Sequence, residues 1–110
     1  MYTKAQKAIY TPGAAFLNVM SPCPRGWGYE PSEIMRICQL AMDTCYWPMF
    51  EVIEGKWILN YEPKNKLPIE EFLKPQRRFK HLFQKENEVL LGKFQEEIDK
   101  RWEELRNKCN

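Results

Sequence analysis

The residue whose surroundings invite chemistry is Cys23, in the run Ser21-Pro22-Cys23-Pro24-Arg25-Gly26. A thiolate is a nucleophile and a soft metal ligand, and the two flanking prolines restrict the backbone that presents it. A Cys-Pro pair also recurs in iron–sulfur ligation. One cysteine is not a motif, so from spacing alone Cys23 reads equally as a ligand and as a tucked-in loop residue. The other candidates are thinner. Cys38, Cys45 and Cys109 form no Cys-x-x-Cys pair, which leaves a self-contained zinc site unsupported. His81 is the sole histidine, and no motif sets a nucleophile or an orienting acid beside it, which favours a structural or surface role. Lys74, Arg77, Arg78, Lys80 and Lys85 make a basic stretch with no acid among them. The stretch is short and a Glu-rich segment follows it, so an ion-paired or subunit-contacting strip is favoured over a nucleic-acid surface. No Gly-rich phosphate loop, catalytic carboxylate pair or Ser/His/Asp set is present in the pattern.

The elements that must position Cys23 follow from hydrophobic patterning. Ala14–Met20 is a short, mostly apolar run between Thr11-Pro12-Gly13 and Ser21-Pro22, the pattern of a strand buried on both faces of a parallel sheet. The loop after it would carry the thiol off the C-terminal end of a strand, where open α/β sheets place their ligands. Thr3–Tyr10 reads as the end of a helix with Ala5, Ala8 and Ile9 on its buried side. A two-faced strand needs parallel neighbours, and this chain has little room for their crossovers, which is the first sign of a fragment.

Downstream, Pro31-Ser32-Glu33 opens a helix whose stripe is Ile34, Ile37, Cys38, Ala41 and Cys45, widened by Met35 and Leu40, and which ends near Tyr46 before Pro48. Cys38 and Cys45 would then lie about 10 Å apart along the axis. That is too far for a disulfide, so both read as small core residues. Met49–Ile53 and Lys56–Tyr61 flank Glu54-Gly55 as a hairpin, with Phe50 and Val52 alternating with Glu51 so that one face is wet. A short amphipathic helix over Pro68–Leu73 follows. The last helix spans about Glu86–Lys108, with Leu91, Phe94, Ile98, Trp102, Leu105 and Cys109 along one face and Glu97–Arg101 paired on the other. Such a helix packs on its own domain or on a neighbouring subunit. The expected organisation is 1–83 as one portion and 84–110 as the terminal helix.

Composition sets the frame. In 110 residues there is room for one small domain. With 44% hydrophobic and 29% charged residues, the chain reads as an ordinary globular protein. Aromatic content of 14%, with four Trp, is high and suggests a surface that covers a partner. A net charge of +2 carries no argument for nucleic acid, and no apolar run approaches the roughly eighteen residues of a membrane span. The start, MYTKAQKAIY, lacks an apolar signal region, so the expected location is cytoplasmic.

Taken together, AFLNVMSPCPRGW, CQLAMDTCYWPMFEV, the Glu-Gly turn and PIEEFLKPQRRFKHL resemble the C-terminal part of the β subunit of 2-oxoacid:ferredoxin oxidoreductases, of the pyruvate synthase type. The resemblance runs in order over nearly the whole chain. It implies an α/β fold: the C-terminal portion of a thiamine diphosphate-binding, parallel-sheet domain, with a hairpin and a long terminal helix. It implies oxidative decarboxylation of pyruvate to acetyl-coenzyme A, or the reverse synthesis, with electrons passing through a [4Fe–4S] cluster to ferredoxin. The cysteine of the family's Ser/Ala-Pro-Cys motif falls on Cys23, which is thereby implied as one of four cluster ligands. The other three ligands, and the Gly-Asp-Gly motif for thiamine diphosphate and Mg, match nothing here. Cys38, Cys45 and Cys109 match no ligand position. The chain is therefore expected to be a fragment, inactive alone, whose partners are the other subunits or domains of the oxidoreductase and ferredoxin. The competing expectation is a non-catalytic protein–protein interaction module.

Overall fold

The structure, a computed structural model, describes residues 1–110. The elements are α1 (Tyr2–Tyr10), α2 (Pro24–Trp27), α3 (Ile34–Asp43) entered through a 3-10 turn at Pro31–Glu33, the strands β1 (Phe50–Ile53) and β2 (Lys56–Leu59), α4 (Ile69–Leu73), a 3-10 stretch over Arg77–Phe83, and α5 (Glu88–Cys109). The fold is mixed α/β, with a two-stranded antiparallel hairpin and a long C-terminal helix.

The core forms where three helices turn apolar faces together. Ile37, Leu40 and Ala41 of α3, Ile69, Phe72 and Leu73 of α4, and Ile98, Trp102 and Leu105 of α5 are buried, with Tyr29 and Leu82 closing the cluster. The three- and four-residue spacing of the α5 set brings it onto one edge of the helix. That edge packs within the chain, flanked by the partly buried Leu91, Phe94 and Cys109. Tyr46 packs tilted against Phe72 at 4.5 Å and stacks on Phe94 at 6.5 Å between ring centroids. The hairpin pairs Phe50 with Leu59 and Ile53 with Lys56. Its two turn residues, Glu54 and Gly55, both take positive φ (52° and 77°), as a tight hairpin turn that follows the strand twist requires. Glu51 is half-buried rather than wet, because Lys7 of α1 pairs with it.

Three sequence expectations need correction. Ala14–Met20 is extended, but it is exposed over almost its whole length and belongs to no sheet. None of its backbone N–H or C=O groups meets another backbone group. The only sheet is antiparallel. Local sequence supplied the extended backbone; the neighbours that would complete a parallel sheet are not among these residues.

The second correction concerns α3, which stops at Asp43 and not near Tyr46. Thr44 caps the turn by donating its hydroxyl to the Leu40 carbonyl at 2.7 Å, and Cys45 then reverses the chain with a left-handed φ of 62°. Cys45 is buried as expected, but off the helix, and burial pushes its thiol up to about 11. Cys38 is only half-buried, while Met35 and Ile34 of the expected stripe are exposed.

The third is α1, which buries no residue. Ala5 and Ala8 are half-covered and Ile9 faces water. The helix is held instead by Lys4 donating to the Phe50 carbonyl at 2.8 Å and by the Lys7–Glu51 pair. Between α1, the extended segment and the hairpin side of α5 lies an open groove of about 1430 Å³. No helix is long and apolar enough to cross a membrane.

Candidate metal-ligand loop at Cys23

Cys23 stands exposed at the start of α2. Pro24 at the first helical position has no N–H to lose and its fixed φ suits a helix start, so the four residues Pro24–Trp27 wind into one turn directly after the cysteine. The Cys23 carbonyl accepts from the Trp27 N–H at 2.8 Å, and its sulfur accepts from the Gly26 N–H at 3.4 Å. The two prolines withhold their own donors from that sulfur, but the turn they start supplies one from Gly26. Donors of this kind tune a bound metal cluster.

The loop is fastened to the core at both ends. Behind Cys23, the buried Tyr29 donates its hydroxyl to the Pro22 carbonyl at 3.1 Å. Burial raises the Tyr29 hydroxyl above its ordinary value; the nearby Cys38 and Cys23 sulfurs add to this and Arg78 opposes it. Ahead of it, Gly28 closes α2 with a left-handed φ of 76°, its N–H returning to the Pro24 carbonyl. The Gly28 carbonyl accepts from the Arg77 N–H at 2.9 Å. The Trp27 ring meets Tyr29 edge-on at 6.5 Å and Phe72 at 6.2 Å. Over its face lies the Arg78 guanidinium, 3.9 Å from the ring centroid and 4.4 Å from that of Phe79.

The expected basic strip therefore divides. Arg78 turns inward, Lys74 pairs with Glu70 across one helical turn, and Arg77, Lys80 and Lys85 face solvent. His81 is exposed and its carbonyl serves Asn87. Sequence reasoning reached Cys23 through residue type and flanking prolines. It missed the contact of Trp27 with Arg78, because about fifty residues separate them and no local pattern joins them.

A four-iron cluster needs four ligands, and nowhere do three or more His, Cys, Asp or Glu side chains gather. The exposed sulfur and its Gly26 donor suit a single corner of such a cluster. The remaining ligands would come from outside these residues.

By sequence the chain is homologous to subunits of 2-oxoacid oxidoreductases, the class to which the resemblance pointed. It is 42% identical to pyruvate synthase subunit PorB of Methanosarcina barkeri over 83 residues, 76% of this chain and 28% of that subunit. Against PorB of Thermotoga maritima the identity is 38% over 105 residues, 94% of this chain and 32% of the relative. Against ketoisovalerate oxidoreductase subunit VorB of Pyrococcus abyssi it is 40% over 108 residues, again 94% and 32%. The chain thus spans about a third of the length of the curated relatives it matches. No protein-family model matches it.

Proposed function

We propose that this chain acts as the C-terminal portion of a 2-oxoacid:ferredoxin oxidoreductase β subunit, with Cys23 supplying one ligand to a [4Fe–4S] cluster. The observation that carries the reading is an exposed thiol on a loop fastened at both ends to a packed core, in a chain homologous to PorB over most of its length. The cluster, when bound, supplies one-electron transfer between the reacting 2-oxoacid and ferredoxin. Cys23 would hold one iron through its sulfur, to which the Gly26 N–H donates, and the Tyr29–Pro22 and Arg77–Gly28 bonds hold the loop in place. Thiamine diphosphate and its Mg belong to the thiamine-binding fold, whose further strands pair along Ala14–Met20. The exposed backbone of that segment, which pairs with no other backbone in this chain, supports this placement. Since relatives are named pyruvate synthase and ketoisovalerate oxidoreductase subunits, the substrate is taken as a 2-oxoacid, with pyruvate as the first to assay.

The exposed apolar Phe16 and Val19 favour, as a second reading, a non-catalytic interaction module. One experiment separates the two. The native complex containing this chain is purified without oxygen, and its mass, iron content and visible spectrum are recorded with and without Cys23→Ser. The proposal expects broad iron–sulfur absorbance, lost in the variant while thiamine diphosphate remains bound. A colourless, iron-free assembly, or an unchanged cluster in Cys23→Ser, would overturn it.

A further inference from the structure

We propose that Arg78 is a positioning residue for Cys23, setting the pose of the sulfur through Trp27. The inference rests on the reading of Cys23 as a cluster ligand and deepens it. Its starting point is a polar arrangement where packing alone would favour apolar side chains. Gln76 is fully buried; its amide donates to the Phe72 carbonyl of α4 at 2.6 Å, and its oxygen accepts from Arg78 Nε at 2.7 Å. Arg78 Nη2 is buried and makes no hydrogen bond of good geometry, with Tyr46 as the polar group nearby, a state that costs stability. An apolar side chain in this slot would avoid that cost.

The guanidinium provides what an apolar chain does not: a rigid, charged plane within reach of two aromatic rings. It lies over Trp27 of α2 and over Phe79 of its own segment. Gln76 fixes the rotation of that plane about the Arg78 side chain, and α4 fixes Gln76. Trp27 in turn donates its N–H to the Cys23 carbonyl, so the chain of contacts runs from the α4 backbone to the residue that bears the sulfur. Arg77 N–H reinforces it one residue away, at Gly28. Every link is a hydrogen bond or a close cation–ring contact, the kind of contact that holds a pose.

Arg78→Lys tests this, because lysine keeps the charge and loses the plane. Trp27→Phe shrinks the other half of the stack and guards against a lysine variant that fails to fold. In the 110-residue chain, amide hydrogen exchange at Trp27 and Gly28 should quicken about tenfold in either variant, with exchange in α5 unchanged. In the oxygen-free native complex, the same variants should retain iron yet shift the electron paramagnetic resonance signal of the reduced cluster. Unchanged exchange at Trp27 and Gly28 would overturn the clamp. Quickened exchange with an unaltered cluster signal would reduce Arg78 to a packing residue and overturn the positioning role. Cys23→Ser run alongside separates the two ideas: if it leaves the cluster intact, the ligand reading has failed, and the exchange data still judge the clamp.

Discussion

At Gly28 the backbone turns left-handed, and a β-carbon built there would lie 2.8 Å from Cβ of Arg77. Both the conformation and the contact oppose any side chain. Gly28→Ala should therefore lower stability by about 2 kcal/mol, measured by chemical denaturation. Gly26→Ala is the control: its added carbon would meet the Cys23 side chain at an ordinary 3.6 Å, and its midpoint should barely move. Part of this site was legible from residue types. Cys23 between prolines marks a thiol on a constrained loop, whereas the helical turn that follows it and the cap at Gly28 emerge only in the fold. Arg78 was not legible, since five cations in a row of twelve residues look alike until the fold selects the one that faces inward.

The same division holds among the elements. The hairpin, α3 and α5 declare themselves by local signals: a Glu-Gly turn, a proline at a helix entrance, and an apolar edge at three- and four-residue steps. Their faces then find one another within the chain. Ala14–Met20 shows the opposite case, because a strand exists by virtue of its neighbours and its own sequence can specify only an extended backbone. The apolar edge of α5 bears on stability directly. Ile98 is 6% exposed in the core, so Ile98→Ala should cost about 3 kcal/mol, whereas the outward Lys100→Ala should change the thermal midpoint little. The outward side of α5 is charged along most of its length, with Glu97 and Arg101 paired at 2.8 Å, and apolar only at its start, where Val89 and Leu90 are exposed.

Taken whole, the molecule has a radius of gyration of 16.0 Å and extents of 51 × 31 × 25 Å, against about 13 Å expected for a compact chain of this length. The excess is consistent with α1 and the extended segment standing off the core as an arm. Exposed ion pairs hold little, and salt screens them. The Lys7 hydrogen bond keeps the Glu51 carboxyl below the usual carboxylate range. A depressed value means that this contribution is present above the unfolded carboxylate range and is lost as pH falls through the folded one. Brief digestion of the free chain with a protease of broad specificity should cut first near Phe16, faster at high salt or at acid pH, and the native complex should be resistant there. Equal resistance in the free chain would mean that the arm is closed onto the groove by itself. That bare, apolar stretch of backbone also bears on supply in the cell. Unpaired strand edges recruit like segments from other copies, and proteases act on segments that stay open. A free chain with this edge bare is thus expected to be cleaved or to self-associate faster than one in which the edge is covered.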